Sequence, residues 1–85
     1  MLLVSKYDPL KFHLIQSQER IIHLSFAQIE IILDAPLPNS AFRHNAWWAN
    51  EVEGTHSHSD SWMDAGYRTE SLDLNATRVT FRKVG

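Results

Sequence analysis

The stretch LSFAQIEIIL, residues 24–33, constrains the fold more than any other part of the chain. Ser25 and Gln28 have capping-box spacing, in which a hydroxyl and a carboxamide satisfy N–H groups that the first turn of a helix leaves open. Leu24 and Ile29 stand where a hydrophobic staple closes. Phe26, Ile29, Ile32 and Leu33 then recur at helical spacings and predict one apolar face. The helix should end near Asp34, because APLP places two prolines just beyond it. Upstream, RIIHLS reads as a short strand that runs straight into this helix.

The flanking segments supply the other elements. YDPLKFHLIQSQ predicts a first helix over residues 9–18, with Asp8 as N-cap and Pro9 at the first helical position. Leu10 and Leu14 form its apolar stripe, which Phe12 and Ile15 should widen. NSAFRHN adds a helical turn capped by Asn39 or Ser40, and AWWAN is expected to be extended, with its two indoles on opposite sides. Gly54 breaks the chain. A third main helix is expected over about residues 58–65, capped by Thr55 or Ser57, with Asp60 suited to its dipole and Gly66 at C′. YRTESLDL and RVTFRKV flank NAT as a β-hairpin, with Val79 and Phe81 on one face and Arg78, Thr80 and Arg82 on the other. The expected class is α+β and winged-helix-like: three main helices, a short strand and a C-terminal β-hairpin. Another small α+β sandwich with the same element order stays open. One domain covers residues 1–85, with residues 1–6 as a flexible lead.

Eighty-five residues with nine aromatics (four Phe, three Trp, two Tyr) suffice for one core. Without cysteine there is neither a disulfide framework nor a thiolate zinc site. The N-terminal apolar run after the initiator is only three residues, too short for a signal-peptide core or a membrane span. The expectation is a soluble, cytoplasmic protein without membrane partners. Net charge is −2, but it is unevenly spread. Residues 44–66 carry Glu51, Glu53, Asp60 and Asp64 with no Lys or Arg, whereas residues 67–85 carry Arg68, Arg78, Arg82 and Lys83 against Glu70 and Asp73.

Three function classes follow from these side chains. His56, His58, Asp60 and His44 are of types that bind zinc or nickel. On a helix, however, His56 and His58 would point about 200° apart, and no H-E-x-x-H motif is present. Solvated histidines are expected, with no metal and no cofactor. Three glycines and no nucleophile elbow or phosphate-cradling loop argue against an enzyme. Trp62 belongs in the core. Of the adjacent Trp47 and Trp48, one should be an exposed aromatic able to stack on a base. The leading expectation is therefore a non-enzymatic DNA-contacting module. Arg43, His44, Asn50, His56 and His58 would read bases, and Arg78, Arg82 and Lys83 would hold phosphates. A second expectation treats Glu51, Glu53, Asp60 and Asp64 as a nucleic-acid mimic that engages a host defence or nucleic-acid-processing protein. A third is a homodimer in which the exposed tryptophan anchors the interface.

From Leu24 onward the chain resembles an uncharacterised domain family of bacteria and their phages. LSFAQIEIIL, LPNSAFRHNAWWAN, a following histidine, SWMDAGY and the terminal RVTFRK carry the resemblance, over roughly residues 24–83. The spacing from AWWAN to the W…AGY pattern is its specific part. The resemblance implies a setting of mobile elements and defence systems, in which small domains bind nucleic acid or inhibit a host protein, as anti-defence (anti-CRISPR-type) proteins do. It assigns no catalytic or binding residue.

Overall fold

The strand-to-helix junction forms as its sequence dictates. In the computed structural model, which describes residues 5–51 and 57–85, β1 spans Ile21–Ser25 and α2 spans Phe26–Leu33 with no intervening loop. Ser25 Oγ accepts from the Gln28 backbone N–H at 3.0 Å, and Gln28 Oε1 accepts from the Ser25 N–H at 2.8 Å. Leu24 and Ile29 are both buried, completing the staple. The helix stops at Asp34, whose left-handed backbone (φ 53°) sends its N–H back to the carbonyls of Glu30 and Ile31.

Around this junction the described residues form α1 (Asp8–Ser17), α3 (Asn39–Arg43), a 3₁₀ turn (Asn45–Trp48), α4 (Ser57–Asp64), β2 (Tyr67–Asp73) and β3 (Arg78–Lys83). The class is α+β, with four helices and one three-stranded antiparallel sheet of order β1-β3-β2 among the described residues. Cross-strand rows Ile22–Phe81–Thr69 and Leu24–Val79–Leu72 face the helices; rows Ile21–Arg82–Arg68 and Ser25–Arg78–Asp73 alternate with them and face away from the core. Val79 and Phe81 are buried, while Arg78 and Arg82 are exposed. A register shift between Thr69 and Ser71 inserts Glu70 as an extra residue. None of the described helices is long and apolar enough to cross a membrane.

Several boundaries differ from expectation for local reasons. Tyr7, not Asp8, is the N-cap of α1; Asp8 opens the helix, and its carboxylate accepts from the Ser5 N–H at 3.2 Å. Pro38, rather than Asn39 or Ser40, precedes α3, and its carbonyl takes the Ala41 N–H at 3.0 Å. Phe12 and Ile15 remain 52% and 48% exposed. At about 100° per residue, Phe12 lies about 200° from Leu10 and Ile15 about 100° from Leu14, off the buried edge of α1. Gly66 does close α4, with φ 86° and its N–H on the Met63 carbonyl at 3.0 Å. Thr55, expected as a cap, lies outside the described residues.

The start of β2 is tied to the α1–β1 connection by the Tyr67 phenol, which donates to the Glu19 carbonyl. Burial pushes this phenol above its ordinary range, and the Glu19 carboxylate adds to the effect. The folded state therefore holds the neutral phenol, whereas the unfolded chain ionises it above about pH 10. Stability contributed by Tyr67 is present below that pH and is lost as pH rises past it. Urea midpoints of the wild type should fall more steeply above about pH 10 than those of Tyr67→Phe. Equal slopes would remove Tyr67 from the alkaline transition.

Candidate functional site

Residues 46–48 of AWWAN belong to the 3₁₀ turn Asn45–Trp48 rather than to a strand, and this decides which tryptophan is available. Successive residues of a 3₁₀ helix diverge by about 120°, so the two indoles point neither together nor to opposite sides. Trp48 turns into the core, 2% exposed, where it stacks on Phe26 at 4.8 Å between ring centroids and on Trp62 at 5.8 Å. Its indole N–H donates to the Ala41 carbonyl at 2.9 Å. Trp48 is thus the core member of the pair, which leaves Trp47 as the candidate aromatic contact of the two.

Trp47 stays half-buried at the edge of that core. Its ring stacks on the His58 imidazole, with centroids 4.1 Å apart and planes 6° from parallel. Tyr7 meets both rings edge-on, at 6.0 Å and 5.8 Å. His58 reaches this position from the first turn of α4, one helical turn ahead of the fully buried Trp62. An open groove of about 470 Å³ runs along the stack, lined by Ser40, His44, Ala46, Trp47, Glu51 and His58. Among the described residues its polar side chains are a hydroxyl, two imidazoles, an indole and a carboxylate, with no Lys or Arg. Arg43 is exposed at the end of α3, next to His44.

The structure therefore brings together His44, Trp47, Glu51 and His58, with Arg43 beside them. Arg78 and Arg82 stand elsewhere, on the outward face of the sheet with Arg68, and Lys83 is exposed at the end of β3. Arg82 forms an ion pair with Glu70, the residue that the β2 bulge inserts. Asp60 and Asp64 are exposed on α4. At about 100° per residue they lie roughly 200° and 240° around the helix from His58, so they do not face the groove. His56 and Glu53 lie outside the described residues. Among the described residues no three His, Asp or Glu converge on a site that could hold a metal ion.

Asn50, expected as a base reader, spends its carboxamide on the fold. Oδ1 accepts from the Trp62 indole N–H at 2.9 Å and the Thr69 backbone N–H at 3.0 Å, while Nδ2 donates to the Thr69 carbonyl at 3.3 Å. The Thr69 hydroxyl lies 2.8 Å from the Trp48 carbonyl and 3.1 Å from Asn50 Oδ1, one proton facing two acceptors. Asn50 thus locks the 3₁₀ turn and α4 onto β2. Ser40 and Tyr7 were missed as parts of the site. Tyr7 was within reach, because Tyr7, Leu10 and Leu14 share one helical edge and all are buried.

The sequence profile of a family described as "Domain of unknown function (DUF7662)" matches residues 7–84. Neither a curated protein nor a solved structure matches the chain.

Proposed function

This chain belongs to the DUF7662 family, and we propose that it is a small non-enzymatic, winged-helix-like module that contacts nucleic acid. The observation that carries this reading is the half-buried Trp47, stacked on His58 along an open groove with Arg43 beside it. Element order and the β1-β3-β2 sheet support the winged-helix comparison. In that comparison α4 is the recognition helix. Its exposed Asp60 and Asp64 would meet phosphate repulsion in a major groove, which favours contact through the Trp47 groove over insertion of α4. The exposed Arg43 supplies phosphate attraction beside the groove; Arg68, Arg78 and Lys83 offer it only where a longer strand continues to the sheet, and there the Glu70 pair weakens Arg82.

Three or four phosphate contacts to a single strand predict a log–log slope of affinity on salt of about −2 to −3. Fluorescence anisotropy with labelled single-stranded and duplex oligonucleotides, from low to physiological salt, measures it. Absence of binding to both at low salt would sink the reading.

The exposed acids favour a second reading. Glu51, Asp60 and Asp64 are all solvent-facing in a stretch without Lys or Arg, so the acidic surface of this segment suits the basic cleft of a host nucleic-acid enzyme. Under this reading, charge reversal at Glu51, Asp60 and Asp64 abolishes recovery of such an enzyme from a bacterial lysate. Unchanged recovery would refute the mimicry.

A further inference from the structure

We infer that the Trp47–His58 groove seats a single unpaired nucleobase, and that Glu51 makes it prefer bases carrying an amino group; this rests on the nucleic-acid reading above. Size is the first argument. A groove of about 470 Å³ falls within the range of small-ligand sites, roughly 300–1,000 Å³. Ring surface is the second. Trp47 and His58 already form a parallel stack at 4.1 Å, and both rings line the groove. A third planar ring can extend or flank that stack, whichever base it belongs to, because every base has a π-face. Charge is the third. With no Lys or Arg among its described lining residues and the Glu51 carboxylate among them, the groove disfavours a phosphate, whereas Arg43 stands exposed just beyond it. Ring and phosphate therefore have separate places.

The rim then discriminates among bases. The Glu51 carboxylate only accepts hydrogen bonds, while the Ser40 hydroxyl and the His44 imidazole can each donate or accept. Cytosine and adenine present an exocyclic amine, a donor that a carboxylate can take. Thymine presents a carbonyl at the position of cytosine's amine, and two oxygens then face each other. A base inside a duplex has both faces stacked and its pairing edge occupied, so it cannot enter without being flipped out.

The experiment compares the wild-type chain with labelled oligomers about six nucleotides long: all-deoxycytidine, all-thymidine and abasic. The expected result is about tenfold tighter binding of the deoxycytidine oligomer than of the abasic one, with quenching of tryptophan fluorescence. The thymidine oligomer should bind more weakly than deoxycytidine, and Glu51→Gln should erase that difference. His58→Ala should lower affinity for both base-bearing oligomers towards the abasic value. Because His58 also packs against Tyr7, the exposed Glu51→Gln variant keeps the test intact if His58→Ala fails to fold. Equal, salt-dependent binding of all three oligomers overturns the base seat and leaves the nucleic-acid reading standing. No binding of any oligomer at low salt overturns both. Saturable binding of an arginine-containing peptide, displaced by no oligomer, would give the groove to a protein side chain and overturn the proposal.

Discussion

Trp48→Ala is expected to destabilise the domain by about 4 kcal/mol, against about 1–2 kcal/mol for Trp47→Ala. The two residues are neighbours of identical chemistry, so the difference comes from where the 3₁₀ turn aims them. Trp48 is 2% exposed, lies between Phe26 and Trp62, and holds the Ala41 carbonyl through its indole. Alanine there leaves a large void and an orphaned buried acceptor. Trp47 loses only the part of its ring that packs on the core. A chain of this length is stable by roughly 4–13 kcal/mol, so Trp48→Ala removes a large share of the total. With about 4–8 °C of melting temperature per kcal/mol in domains of this size, a fall of the order of 20 °C follows. Thermal denaturation by circular dichroism on both variants measures it. If Trp47→Ala collapses while Trp48→Ala melts within a few degrees of wild type, the two roles are exchanged and the proposed groove loses its floor.

The elements that were legible beforehand are those whose signals are local. The Ser25–Gln28 box, the prolines after Asp34, Gly66 at a helix end and the Val79/Phe81 alternation each act within about one turn or one strand pair, and each stands where it was expected. AWWAN was not legible in this way. Five residues hold too few periods to separate an extended segment from a 3₁₀ turn, and the choice is made by contacts to Phe26, Trp62 and Thr69 that are distant in sequence. The same limit hides the groove. Ser40, Trp47 and His58 meet only because α3, the 3₁₀ turn and α4 pack together. For Phe12 and Ile15 the error was one of width: a stripe read from spacing alone does not say how much of a helix its neighbours cover. Asn50 failed for a different reason. An amide in a polar, histidine-rich stretch is equally suited to reading a base and to tying a strand edge, and only a partner in space separates the two.

Asn50→Ala separates them by experiment, with an expected loss of about 3 kcal/mol. Truncation removes the acceptor of the Trp62 indole N–H and of the Thr69 backbone N–H, and with it the donor to the Thr69 carbonyl. Trp62 is fully buried, so water cannot replace its partner without opening the core, and each buried donor left unmade costs about 1–3 kcal/mol. Asn50 itself is only half-buried, so water can recover part of the loss at Thr69, which is why the sum stays near the upper end of the range for a single donor. Asn50→Asp keeps the accepting oxygen but sets a carboxylate oxygen against the Thr69 carbonyl in place of the donor, so it should recover only part of the stability that Asn50→Ala forfeits. Urea unfolding of the three proteins gives the comparison. A base-reading Asn50 would produce the opposite pattern, with unchanged urea midpoints and weakened oligonucleotide binding. In that case the lock between the 3₁₀ turn, α4 and β2 would have to lie elsewhere, and the placement of Trp47 against His58 would need another cause.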